Sequence, residues 1–201
     1  MNKGLFITVE GCDGAGKSTQ AKLLVNRLRT EYPDREIVST REPSGNGTLG
    51  ETLREVVLVE DMTPITETLL FQAARAEHVH NLILPALERG AIVICDRYIH
   101  STLAMQGFAM GVPLRMIEDI HYWSTNNLMP DITLFVDVNP VTALERTVVK
   151  NKAEKRGEDY ANNVYNGFMK ALQHATTPYI IIEGTNSIES VSEVIWKEIS
   201  N

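Results

Sequence analysis

Five short runs of this chain, at 5–10, 36–40, 91–96, 132–138 and 179–183, are apolar almost without interruption. Runs of that length read as strands covered on both faces, as parallel sheets require. Between and after them lie longer stretches with helical periodicity, over 17–31, 48–60, 64–89, 113–127, 140–150, 158–175 and 188–200. The alternation predicts an α/β fold, a doubly wound parallel sheet with right-handed crossovers and helices on both faces. Ligands in such sheets sit beyond the carboxyl ends of the strands. There is no internal repeat and no low-complexity linker. The 201 residues suit one domain, 1–201, with a small lid. That lid is expected in "KNKAEKRGED", 150–159, which is charged and almost free of large apolar groups. It reads either as a solvated helix end or as a mobile segment carrying cations.

Composition narrows the partners. The net charge is −7, with acids spread throughout and no block of lysine or arginine. A nucleic-acid polymer, which needs a basic stripe against its phosphates, is therefore excluded as the expected partner. Small phosphorylated ligands stay open, because backbone N–H groups and a few local arginines can hold them. Cys12 and Cys95 each end a hydrophobic stretch and read as buried, reduced thiols. No signal or transit segment stands at the start, and no apolar run approaches the roughly 18 residues of a membrane span. A cytoplasmic protein with no membrane partner is expected.

The first strand runs into "GCDGAGKST", residues 11–19. This is G-x-x-x-x-G-K-[ST], with Gly11, Gly16, Lys17 and Ser18 in register, between a strand and a helix. The glycines let the backbone curl until successive N–H groups face inward and meet the positive end of the next helix. Lys17 then reaches the β- and γ-phosphates of a nucleoside triphosphate, and the Ser18 hydroxyl is placed to ligate Mg²⁺. The loop does not say where the γ-phosphate goes, since switch GTPases, mechanical ATPases and small-molecule kinases share it. "NKAE" at 151–154 approaches the guanine-reading N-K-x-D but ends in Glu and lies far from a strand end.

Two arginine-bearing turns follow the second and third strands, "TREPSG" at 40–45 and "DRY" at 96–98. An aspartate ending a buried strand is costly unless solvated, paired or near metal, which makes Asp96 a candidate Mg²⁺ partner. Arg41 and Arg97 suit a second phosphate as bidentate donors. Phe71 and Arg75 are four apart on a helix and share a face, where a ring stacks on a base and a guanidinium bonds its edge, or where both pack in the core. The five histidines show no convergent metal spacing. No nucleophile–base arrangement is evident either. A monophosphate acceptor needs none, because its oxygen is already anionic near pH 7.

In order and spacing, "VEGCDGAGKST", "TREPSG", "LLFQAARAEHV", "VICDRYIHSTLAMQG", "PDITLFVDV" and the basic segment after them resemble the thymidylate kinases nearly end to end. The resemblance implies transfer of the ATP γ-phosphoryl group to dTMP with Mg²⁺, a five-stranded parallel sheet, a homodimer and a lid closing over ATP. It implies that Gly11, Cys12, Asp13, Gly14, Ala15, Gly16, Lys17, Ser18 and Thr19 cradle ATP. Asp13 would also sit near the acceptor, and Ser18 and Asp96 near the metal. Gly14 stands where some relatives carry an arginine, which implies a cation supplied from the lid by Lys152, Lys155 or Arg156. Arg41, Arg97, Phe71, Arg75, Ser101, Thr102 and Met105 fall on acceptor-binding positions. Relatives usually carry Tyr or Phe at the position of Met105. This change admits an alternative acceptor set: dUMP, a C5-modified dUMP or several deoxynucleoside monophosphates.

Overall fold

The computed structural model describes residues 3–43, 48–146 and 156–200. Five strands, β1 (Leu5–Glu10), β2 (Ile37–Arg41), β3 (Ile92–Asp96), β4 (Ile132–Asp137) and β5 (Tyr179–Glu183), form one sheet in the order β2-β3-β1-β4-β5. Every neighbouring pair is parallel. The described helices that join and follow the strands are α1 (Lys17–Glu31), α2 (Thr48–Val59), α3 (Pro64–His78), α4 (Leu84–Glu88), α5 (Ile99–Thr102), α6 (Leu114–Thr125), α7 (Pro140–Glu145), α8 (Gly157–Gln173) and α9 (Ile188–Ser200).

Because successive strand residues point to opposite faces, the central strands feed two cores. Ile7, Val9, Ile92 and Ile94 pack with Leu24, Val25 and Leu28 of α1, in a cluster that also holds Phe168 of α8. Phe6, Val93 and Cys95 pack with Val79, Ile83 and Tyr98. The Phe6 and Tyr98 rings meet edge-on at 4.9 Å. Full burial of an aromatic here stabilises the fold by several kcal/mol, about 3–5 by large-to-small substitution. The edge strand β5 departs from the expected two-sided burial: Tyr179, Ile181 and Glu183, which share one face, are exposed, while Ile182 on the other face is buried.

Two stretches refine the expected helices. The long helix expected over 64–89 opens into a π-helical segment, Val79–Ile83, in which Leu84 N donates to Val79 O. Pro85 follows at once and has no N–H to donate, so an ordinary ladder cannot run through it. The stretch after β3, where no helix is expected from sequence, coils as α5 and then as a π-helical segment, Leu103–Ala109. His100, Ser101, Thr102 and Gly107 are weak helix formers, so tertiary packing, not propensity, holds this turn.

Strand register aligns the edge that matters. Arg41 of β2 pairs with Asp96 of β3, and Asp96 pairs with Val9 of β1. The loop after β1, the turn after β3 and the end of β2 therefore open onto one edge of the sheet.

Candidate active site

The loop between β1 and α1 is shaped by its glycines. Gly11 has φ 146°, and a Cβ there would stand 2.6 Å from Val136 O. Gly16 is left-handed at φ 94° with open space around it, so backbone conformation alone selects glycine. No acidic residue stands in the first turn of α1, leaving its positive end free for an anion. Cys12, Gly14 (φ 83°) and Ala15 complete the curl, and Thr19 is exposed in the first turn of α1. Lys17 lies almost buried under the loop, with Nζ donating to Cys12 O at 2.9 Å and 3.7 Å from Asp13 Oδ1. Burial, then the nearby Arg97 charge, pulls the Lys17 pKa down.

Across the loop, the turn after β3 brings two charges. Asp96 Oδ2 accepts from the Ser18 hydroxyl, while Asp96 Oδ1 is buried without a hydrogen-bond partner among the described residues. Hard oxygen donors with one carboxylate oxygen unspent fit a Mg²⁺ ion that takes few protein ligands. Arg97 follows with φ 73°, left-handed backbone that a long side chain rarely adopts. Its guanidinium pairs with Asp13, donates to Ser101 Oγ at 3.0 Å and makes a long 3.4 Å contact to Gly11 O. Arg97 is the main cause that holds the Asp13 carboxyl below its ordinary pKa.

Arg75 is fixed from three sides. Nε donates to Glu42 Oε2 at 2.6 Å, Nη1 to Gln72 Oε1 at 2.8 Å and Nη2 to Thr102 Oγ1 at 2.9 Å. His78 supports Glu42 from behind, with Nδ1 at 3.1 Å from Oε1 and Nε2 at 2.7 Å from Thr40 Oγ1. Burial pushes the Glu42 carboxyl up, but Arg75 and His78 outweigh it and leave the pKa lowered. Phe71, half-buried one turn before Arg75, faces the same space.

All of this meets in one cavity of about 220 Å³. Asp13, Lys17 and Ser18 of the loop share its lining with Arg41, Phe71, Arg75, Asp96, Arg97, Ser101, Thr102, Met105 and Arg156. Met105 also borders a smaller, mostly apolar cavity reached by Cys12, α7 and α8. Arg156 stands just before α8, stacked on Tyr160 and paired with Glu67 of α3 at 3.0 Å. Lys152 and Lys155 lie outside the described residues. His78 and His80 turn to different partners: His78 faces Glu42, while His80 reaches Ser124 O on α6.

Sequence reasoning missed several lining or supporting groups. Glu42 is the residue after Arg41 in a motif already singled out, and strand alternation turns it inward where Arg41 is exposed. Glu10, Glu67 and Gln106 are buried polar residues on apolar elements. The cost argument applied to Asp96 would have flagged them too. Arg54 of α2 lines the cavity and donates to Pro43 O at 2.8 Å. Burial, then the Arg41 and Arg97 charges, pulls its pKa down.

Comparison with known proteins agrees with this architecture. A family model described as thymidylate kinase matches residues 9–195. A thymidylate kinase of an Exiguobacterium species is 42% identical over 198 residues, covering 96% of this chain and 92% of the relative. That of Wolbachia pipientis wMel is 44% identical over 196 residues, covering 96% and 99%. The crystal structure of thymidylate kinase from Ehrlichia chaffeensis superposes with a TM-score of 0.82 at 30% identity, covering 99% of both chains. From its opening loop to its last helix, the chain belongs to the thymidylate kinase family.

Proposed function

We propose that this chain transfers the γ-phosphoryl group of ATP to dTMP in the cavity at the carboxyl edge of the sheet. One observation carries the reading: phosphate-loop residues Lys17 and Ser18 line the same cavity as Arg41, Arg97, Phe71 and Arg75. A donor nucleotide on the loop and an acceptor on the arginines then face each other, which the reaction requires.

Residue by residue, the chemistry is alignment and charge neutralisation. Lys17 leaves the Cys12 carbonyl to meet the β- and γ-phosphates. Arg97 and Arg41, with Arg54 behind, hold the acceptor phosphate, whose second pKa near 6 leaves its oxygen anionic without a general base. Phe71 stacks on the base. Arg75 spends one donor each on Glu42, Gln72 and Thr102, leaving N–H groups of its five for a pyrimidine carbonyl. Ser18 and Asp96 would hold Mg²⁺, which neutralises charge on the transferring group when bound. Arg156 and the lid lysines are candidate cations for the phosphates, and Asp13 keeps Arg97 and Lys17 oriented.

Met105 favours a second acceptor set. Methionine is flexible, and here it divides the acceptor cavity from an apolar one. dUMP, C5-modified dUMP or several deoxynucleotides would then also be accepted. Steady-state turnover with ATP, Mg²⁺ and a panel of monophosphates tests both. dTMP is expected to give the highest kcat/KM, and no turnover on any pyrimidine deoxynucleotide sinks the proposal. Hydrolysis of ATP that ignores acceptor would favour a switch or ATPase module instead.

The working unit we propose is a homodimer. In support, α2, α3 and α6 carry exposed apolar side chains: Val56 and Val59, Ile65 and Leu69, and Tyr122 and Trp123. For a cytoplasmic site of action stand the free thiols of Cys12 and Cys95. Among the described residues, no helix is long and apolar enough to cross a membrane.

A further inference from the structure

We infer that Glu10 is a positioning residue for phosphoryl transfer, holding Arg97 in place through Ser101 and the turn that carries both. The inference rests on the proposed role of Arg97 at the acceptor phosphate.

Glu10 closes β1, opposite Phe135 of β4, and is fully buried. Every described hydrogen-bond partner of its carboxylate is a donor from one short stretch. Oε1 accepts from Tyr98 N at 2.8 Å and Ser101 N at 3.2 Å, and Oε2 accepts from Ser101 Oγ at 2.6 Å. With its proton on Glu10, the Ser101 oxygen turns a lone pair to Arg97 Nη1 at 3.0 Å. The other arm of Arg97 pairs with Asp13. A continuous path therefore runs from a buried carboxylate through a hydroxyl to the guanidinium in the cavity.

The backbone adds a second, independent reason. Arg97 is left-handed, a conformation costing on the order of 1–3 kcal/mol that persists only where neighbours over-determine it. Arg97 N donates to Val9 O, and Tyr98 N, the next donor, goes to Glu10. The main-chain donors around the strained residue are thus tied to the end of β1. A carboxylate is suited to this place because it accepts from all three donors at once, whereas an amide must turn an N–H toward one of them.

Steady-state kinetics and thermal melts of wild type, Glu10→Gln, Ser101→Ala and Arg97→Ala separate the possibilities. Glu10→Gln is expected to lower kcat about tenfold or more and to raise the dTMP KM, because the phosphate grip is misplaced. Its KM for ATP should stay within about twofold, with its Tm close to wild type, a split that a merely structural residue does not give. Ser101→Ala should reproduce most of that loss. The double variant should be little worse than Glu10→Gln alone, as members of one path are non-additive. Wild-type kcat and dTMP KM in Glu10→Gln overturn the inference. So does a loss spread equally over both substrates with a collapsed Tm. If Glu10→Gln does not fold, Ser101→Ala decides, and wild-type kinetics there overturn it. An inactive wild type, or an active Arg97→Ala, would instead sink the site reading on which the inference rests.

Discussion

Arg75 and Glu42 form a buried ion pair at 2.6 Å, joining the third helix to the turn after β2. Such a pair adds little net stability when whole, because both charges have left water. Removing one partner is another matter, since the survivor keeps its desolvation cost without its compensation. What the pair supplies is direction: Glu42 takes Nε, and with Gln72 on Nη1 and Thr102 on Nη2 it fixes the guanidinium at the cavity wall.

Glu42→Ala is therefore expected to cost about 3 kcal/mol or more. For a protein of this size that lowers the Tm by roughly 6–12 °C. The folded pKa of Glu42 is lowered, so this stability is present above the unfolded value near 4.5 and lost as pH falls through the folded one. The variant's deficit in thermal melts should accordingly shrink at acid pH. A deficit that is constant with pH would show that charge is not the cause. In kinetics, the acceptor KM should rise while the ATP KM holds.

Lys17→Ala and Arg97→Ala should each lower kcat by about 100-fold or more, each losing a preorganised cation at developing charge. Their melts need not agree, because Lys17 is tied to a loop carbonyl while Arg97 is knotted into Asp13 and Ser101. Near wild-type turnover in either would remove the role assigned to it.

Phe71→Ala should raise the KM for acceptor more than for ATP. The ring is half-buried and borders the cavity, so truncation removes a stacking surface worth about 1–3 kcal/mol. Equal effects on the two substrates would mark it as packing only.

Much of this was legible in the sequence, for physical reasons. Parallel strands covered on both faces leave unbroken apolar runs, so β1, β3 and β4 stood out, and the loop after β1 carries a backbone demand that glycine alone meets. Asp96 was legible because a carboxylate at the end of a buried strand is costly without a task, and Arg41 and Arg97 because each sits in a turn at a strand's carboxyl end, where ligands gather. The support behind them was not. Glu42, Glu67 and Gln106 act through partners 33 or more residues away in sequence. Such pairings depend on how helices pack, which local pattern does not encode. The coil at 99–109 escaped for the same reason, being held by contacts against its own propensity.

Acid should unfold the protein partly through two histidines. His100 and His121 are buried, and burial pulls both down to about 4 from 6.5. The unfolded chain therefore takes up protons first, and stability falls as pH drops from 6.5 toward 4, on the order of 3 kcal/mol per histidine. Glu10 works the other way, as burial lifts it from 4.5 to about 7, so its protonation on acidification offsets about one histidine. The net expectation is a Tm that falls between about pH 6 and 4.5. His121→Gln, which keeps a donor toward Leu128 O, should flatten that slope. An unchanged slope would show that His121 does not titrate against folding.

Arg156 makes the last test, because the structure ties it through Glu67 to the segment that carries Met105, a proposed acceptor residue. Its Nη2 meets Glu67 Oε2 at 3.0 Å, and Glu67 Oε1 accepts from Gln106 Nε2 at 3.0 Å, one residue past Met105. Stacking on Tyr160 fixes the guanidinium plane against the start of α8. A cation so held should act on the acceptor more than on the donor. Arg156→Ala is expected to raise the dTMP KM about fivefold or more, about 1 kcal/mol of lost contact, with a smaller change in the ATP KM. Lys152→Ala and Lys155→Ala should show the opposite bias if the lid cations serve ATP. Three variants with the same small loss in both substrates would instead mean that this whole charged stretch is a solvated helix end.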